Sequence, residues 1–263
     1  MRESTCLWKL RLFASSTQPA RLYERVRFRP VHCKSMEAQE TRAILTSRKL
    51  VQKMLHEIEM SLRGMLRNFG LKVGKVAAAQ FEFRIRELVE GHPTLAAIAA
   101  SLLATRATLR REFNALEKRL RTMARTDPRA RLLMSTPGVG MIVALTYACA
   151  IDDPSRFRSS KTVGAHFGLT PTRYQSGETD YTGRISKIGD ASVRMALWQA
   201  AHVILTRPVK GSALKSWGLS IAKRRGMAKA KVALARKLAV VMHRMLVDAK
   251  SFDHALPNRT AAA

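Results

Sequence analysis

Apolar residues recur along two stretches of this chain with a helical spacing that holds for many turns. In the first, Val51, Leu55, Ile58, Leu62, Met65 and Phe69 are separated alternately by four and three residues, the a/d seam of a coiled coil. This spacing predicts a long helix ending near Gly70 in "NFGLKVG", where glycine suits the C-terminal cap. The second stretch follows "EGHPT", with Thr94 as the expected cap. There Leu95, Leu102, Leu109, Leu116 and Met123 recur every seven residues, Phe113 and Leu120 fill the other half of the heptad, and "RTDP" closes the run. Two long helices with a bend between them predict a helical hairpin or a dimer stalk. An ordinary helical bundle has the same periodicity. All three are structural uses, so no chemistry is assigned to residues 36–126.

The pattern changes from residue 131. "LLMSTPGVGMIVALTYACAI" predicts an apolar helix end, a Pro-Gly-Val-Gly turn and a second apolar helix, the signature of a helix–hairpin–helix. Gly138 and Gly140 permit the tight turn and leave the next helix's first amides able to hold a phosphate. A tight helix connection without ligand fits the same residues. Further on, "FGLTPTRYQSGETDYTGRISKIGDASVR" carries Gly168, Pro171, Gly177, Gly183 and Gly189 and cannot continue a helix. "YQSG" and "DYTG" predict a short β-hairpin or surface loop over 172–185. "GDASVRMALWQAAHVIL" then restarts a helix with Asp190 as N-cap or first-turn acid. The expected architecture is therefore mainly all-α: a basic irregular arm (1–35), a coiled-coil helical hairpin (36–126), a compact helical domain with a small β excursion (127–250) and a disordered tail (251–263).

Charge narrows the function. Lys plus Arg outnumber Asp plus Glu 47 to 19, a formal net charge of +28. Such an excess repels itself unless a polyanion is near, which makes nucleic acid the default partner over a merely basic soluble protein. Three cysteines without a C-x-x-C pair, and seven scattered histidines, give neither a zinc site nor a disulfide framework. No metal site is expected in this chain, and the cysteine usage fits a reducing cytoplasm. No apolar run approaches a membrane span, and "CLWKLRLF" is too short and too interrupted for a signal sequence. "GLKVGK" is one residue short of a phosphate-binding P-loop and continues with Val76.

Ser176 stands before a glycine on a predicted loop, with Arg173, Arg184, Lys187 and Arg194 close in sequence. Those cations could stabilise charge on a phosphorane, and no histidine or carboxylate is spaced for an acyl-transfer triad. Taken alone, a serine before glycine is an ordinary turn former.

The stretch from "STPGVGMIVALTYACAIDDPSRFRSSKTVGAHFGLTP" through "YQSG" to "GRISKIGDASVRMALWQAAHVIL" resembles the C-terminal domain of DEDD-type insertion-sequence transposases related to the Piv invertase. The resemblance extends over roughly 36–250, "RNFGLKV" included. It implies a recombinase guided by a bridge RNA, acting on insertion-sequence ends and target DNA, with a RuvC-like nuclease domain whose four acids bind Mg2+. It also implies a serine that forms a covalent phosphoserine with DNA. That serine maps onto Ser176, with Ser186 as runner-up; Gly138, Gly140, Arg173, Arg184, Lys187 and Arg194 are the expected DNA contacts, and the coiled coil implies a homo-oligomer. Residues 1–35 depart from the pattern, holding only Glu3 and Glu24 as carboxylates. The expectation is thus a truncated transposase, inert alone and binding no cofactor itself. The alternative is a non-catalytic nucleic-acid-binding, dimerising fragment that regulates intact transposase.

Overall fold

A computed structural model of the chain describes residues 32–208 and 212–254. The chain divides into two units, Met1–Met36 and Glu37–Ala263. Of the first, only residues 32–36 are described, irregular up to the helix that begins at Met36. The expected basic arm thus lies almost wholly outside the described residues.

Helices α1 (Met36–Asn68) and α3 (Pro93–Thr126) follow the two heptad runs, with the short α2 (Phe81–Leu88) between them. They run antiparallel within one chain. Arg48 of α1 pairs with Glu117 of α3, and Arg106 of α3 with Glu59 of α1. The Arg48 guanidinium also lies 4.9 Å from the Phe113 ring centroid. Leu62, Leu66, Leu95, Ala99 and Leu103 close with Phe81 and Ile85 into a small core at the bend. Away from it Val51, Leu55, Leu109 and Leu116 are only half-buried, since two helices cannot enclose a seam that a third or fourth would cover.

Two expectations at the bend are corrected. Phe69, the last position of the first seam, is exposed. The helix has already closed: Gly70 N–H donates to Arg67 O and Leu71 N–H to Leu66 O, and Leu71 takes the apolar position on the core instead. Thr94 is not the cap of α3. Pro93 occupies the first helical position behind His92, because proline lacks the N–H that would otherwise need a partner.

Beyond Asp127, which accepts the Arg129 N–H, α4 (Pro128–Met134) and α5 (Met141–Ile151) flank the Pro-Gly-Val-Gly turn. Every residue of α5 from Val143 to Ile151 is buried, so this helix is apolar all round and becomes the centre of the main core. Two 3-10 turns (Pro154–Arg156 and Ser160–Thr162) and α6 (Val163–His166) lead into β1 (Pro171–Ser176) and β2 (Thr179–Ile185). These strands form an antiparallel pair in which Arg173 faces Thr182, Tyr174 faces Tyr181 and Ser176 faces Thr179. Then α7 (Ala191–Thr206), α8 (Ala213–Arg225) and α9 (Met227–Asp248) wrap the core. Asp190 caps α7 as expected, accepting from the Ser192 and Val193 amides. The Tyr147 hydroxyl donates to Ala239 O and ties α5 to α9; burial pushes that phenol well above its usual pKa.

The protein is mainly all-α, with one small two-stranded sheet among the described residues. Of the expected disordered tail, Phe252 docks on the main core and donates its N–H to Ser135 Oγ, while residues 255–263 lie outside the described ones.

Candidate nucleic-acid interface

The two-stranded ribbon is anchored only at its base. Ser186 N–H donates to Thr170 O at 2.9 Å, and Lys187 N–H to Gly168 O at 3.1 Å. The segments 166–170 and 186–190 approach so closely that neither tolerates a side chain where they cross. A Cβ on Gly168 would fall 2.2 Å from Ile188 O, and one on Gly189 2.2 Å from His166 O. Both glycines also have positive φ, 64° and 88°. Arg194 of α7 completes the clamp through one guanidinium nitrogen that donates to Phe167 O, Ile188 O and Gly189 O. Arg194 therefore holds the loops together through this nitrogen.

Ser176 ends β1 at the exposed tip of the ribbon, opposite Thr179. Its hydroxyl is engaged by no side chain among the described residues. Arg173, one of the four cations expected beside it, is held bidentately across the strands by Asp180, at 2.7 and 3.1 Å. That pairing raises the Arg173 pKa and lowers that of Asp180. Ser186 sits half-buried at the ribbon's base. Gly138, at φ 77°, packs its backbone against α7, where a Cβ would lie 2.8 Å from Ile204 Cγ1; Gly140 precedes α5 with open space around it. The ribbon thus separates the two serines, Ser176 at its tip and Ser186 at its base.

Arg184 and Lys187 instead line a cleft of about 940 Å³ between β2, α8 and α9. Lys161, Lys229, Arg236 and Lys237 join them, and no carboxylate contributes to its lining. None of these six cations makes an ion pair among the described residues. Lys237 Nζ lies 4.1 Å from the Trp217 ring centroid, and burial draws its pKa below the usual lysine range. Sequence reasoning missed Trp217, whereas Lys229, Arg236 and Lys237 of α9 lie in the basic run "AKRRGMAKAKVALARK", which by its charge alone predicts salt-sensitive nucleic-acid binding. The available signal is that no Asp or Glu occurs between Asp190 and Asp248, a stretch with twelve Lys or Arg.

A second cluster was also missed. His243 of α9 is buried, with Nδ1 2.9 Å from Ser160 Oγ and Nε2 3.1 Å from Pro154 O. A carbonyl only accepts, so Nε2 carries the proton and Ser160 donates to Nδ1. Desolvation lowers the His243 pKa, the charge of Arg156 adds to this, and the Pro154 bond opposes it. His166 is the other titratable group nearby, across the Phe157 ring. As pH falls below the ordinary histidine value of 6.5, the unfolded chain takes the proton first. The contribution of neutral His243 to stability is therefore full above that value and is lost as pH falls towards the depressed folded-state pKa. The melting midpoint is expected to drop by several degrees on acidification through this window, and by less in His243→Asn. Equal pH profiles for the two proteins would refute this.

These elements define a class: a helical, strongly basic domain whose exposed ribbon borders an acid-free cleft suited to a polyanion. Residues 130–216, from α4 across the ribbon and α7 into α8, match the family described as Transposase IS116/IS110/IS902 family. The chain is 28% identical over 234 residues to the transposase for insertion sequence element IS1111A of Coxiella burnetii, covering 87% of this chain and 64% of that protein. It is 33% identical over 96 residues to the transposase for insertion sequence element IS1328 of Yersinia enterocolitica, covering 36% of this chain and 29% of that protein. A relative from Sinorhizobium fredii is 26% identical over 239 residues, covering 88% of this chain and 60% of that protein. The chain thus spans less than two thirds of the length of the first two relatives. Over residues 130–216 the chain is thus similar to transposases of that family.

Among the described residues no three His, Cys, Asp or Glu side chains group as metal ligands. The four-acid magnesium site that the resemblance implies belongs to a separate nuclease domain, and the described residues offer no such set of ligands. No described helix is long and apolar enough to cross a membrane.

Proposed function

We propose that this chain acts in DNA transposition as a transposase part that grips nucleic acid and carries the nucleophile Ser176. The observation behind this reading is the placement of Ser176 at the exposed end of a ribbon, inside the family-matched stretch, with an acid-free cationic cleft at the ribbon's base. The ribbon can present its hydroxyl to a phosphate without burying the duplex. In the proposed step the serine Oγ attacks a DNA phosphorus. The Oγ–P bond forms, the bond from phosphorus to one deoxyribose oxygen breaks, and the serine proton reaches that oxygen through solvent. One ester replaces another, so the phosphoserine keeps the strand-joining reaction accessible.

Arg184 and Lys187, at the ribbon's base, are the cations left to hold phosphates of the DNA flanking the attacked one, while Arg173 and Arg194 keep the ribbon in place. Activation of Ser176 must come from outside the described residues, which supply it no base. The resemblance suggests a magnesium-binding nuclease domain and a guide RNA as co-actors. Self-association through the half-buried seam of α1 and α3 belongs to the same proposal.

The test supplies an acidic nuclease domain of the family, guide RNA and magnesium in trans, with DNA carrying insertion-sequence ends. A denaturation-resistant protein–DNA adduct is expected. Ser176→Ala should abolish it while leaving DNA affinity nearly unchanged, because one hydroxyl adds little to a phosphate-dominated interface. An adduct that survives Ser176→Ala and disappears in Ser186→Ala would move the nucleophile to the ribbon's base. DNA binding with no adduct in any arrangement would favour the non-catalytic regulator.

A further inference from the structure

We propose that the cleft between β2, α8 and α9 binds single-stranded nucleic acid, taking unstacked bases against its apolar floor while its rim holds the phosphates. The proposal rests on the transposase reading and names a partner form and a location that the reading leaves open. Three observations carry it.

The first is charge without compensation. Six cations and no carboxylate line the cleft, and the chain from Ala191 to Val247 contains no acid at all. Cations so concentrated repel one another, and a bound polyanion removes that cost and releases its counterions.

The second is the floor. Leu169, Ile185, Val232 and Val240 lie beneath the cations, with Trp217 and Tyr181 beside them. A duplex presents phosphate and sugar to a protein surface and keeps its base faces stacked, so it has little use for an apolar floor. A single strand offers both a chain of phosphates and free base faces. Cationic grooves with aromatic platforms are the usual physical solution for such strands. The volume of about 940 Å³ sits at the upper end of the ~300–1,000 Å³ typical of ligand pockets, so the cleft can receive more than one base.

The third is how two of the cations are held. Lys237 is half-buried over Trp217 and partly stripped of water, with no acid to replace that hydration. Lys187 adopts a left-handed backbone at φ 56°, a conformation that lysine rarely takes, and is exposed at the cleft. A phosphate would restore to Lys237 the charge stabilisation that burial removes, and the exposed Lys187 ammonium is open to the same ligand.

Affinity is measured by anisotropy on the full chain, with four labelled probes of one sequence: single-stranded DNA, single-stranded RNA, the DNA duplex, and a DNA strand with central abasic sites. The expected order places both intact single strands tighter than the duplex and the abasic strand; DNA against RNA identifies the source. Lys187→Glu with Lys229→Glu, both exposed, should weaken single-strand binding by about tenfold or more. Lys49→Glu with Lys118→Glu, on α1 and α3, makes the same charge change away from the cleft and should weaken it by less than about threefold. With Trp8 and Trp198 replaced by phenylalanine, Trp217 emission should be quenched by the intact strand and unaffected by the abasic one. This readout does not depend on any charge variant folding. Equal losses from the two charge pairs, equal affinity for intact and abasic strands, or an unresponsive Trp217 would each overturn the proposal. No strand is cut in these titrations, so their failure is separable from failure of the Ser176 adduct.

Discussion

Replacing Gly168 or Gly189 with alanine is expected to destabilise the domain by about 3–5 kcal/mol and to release the base of the ribbon. A methyl on either residue would lie 2.2 Å from a carbonyl oxygen of the facing segment, and that oxygen belongs to backbone, which no rotamer change can move. The left-handed backbone adds its own penalty for alanine. Relief would require the two segments to part, which breaks the Ser186–Thr170 and Lys187–Gly168 bonds and draws the carbonyls of Phe167, Ile188 and Gly189 away from Arg194. Gly177→Ala at the ribbon tip serves as control, since that glycine has positive φ with nothing within 4 Å of its missing methyl. It should cost about 1 kcal/mol. Urea unfolding, with hydrogen exchange at the Ser186 and Lys187 amides, reads both effects. A Gly168→Ala protein no less stable than Gly177→Ala would mean the segments do not cross as described.

Arg106→Ala should have the second largest effect, about 2–4 kcal/mol. Its guanidinium is buried and binds Glu59 at 2.8 Å and Ala78 O at 3.0 Å, with the Phe81 ring centroid 4.7 Å away. One side chain thus joins α3, α1 and the segment ahead of α2. Removing it leaves a carboxylate without a partner and a carbonyl without a donor, beside a cavity. The lower part of the range allows for Glu59, whose side chain keeps 24% exposure and can regain some water. The double variant Arg106→Leu, Glu59→Leu removes both charges and should recover much of the loss, because the penalty lies largely in the stranded partner. If the double variant is as unstable as the sum of its parts, the pair is not the junction described.

These two sites mark where the sequence was legible and where it was not. Heptad spacing located α1 and α3 because a helix repeats its buried face every three to four residues, and that repeat is local information. Asp190 declared a helix start for the same reason, since a cap acts within three residues of itself, whereas the cap Asp127 was legible only as the close of the helix before it. The glycine-rich segment declared a break and a β excursion, since glycine density excludes a helix. Net charge indicated a polyanionic partner without any fold at all.

What the sequence left open are relations between residues far apart in the chain. Arg106 stands at the heptad position of Phe113 and Leu120, seven residues ahead of Phe113, and only Glu59, 47 residues earlier, explains why a charge sits in the core there. Arg173 and Arg194 read as free cations beside Ser176; a partner seven residues on claims the first, and three carbonyls claim the second. The heptads fixed helical faces and were silent on pairing, which the ion pairs between the two helices decide as an antiparallel couple within one chain. Gly168 and Gly189 each looked like a turn, and only their mutual approach makes either indispensable. The cleft is the fullest case. Its cations come from residue 161, from the ribbon and from α9, and α8 adds Trp217. Local periodicity decides which elements form; which charges find partners, and which remain for a ligand, depends on distances through space that only the packed chain defines.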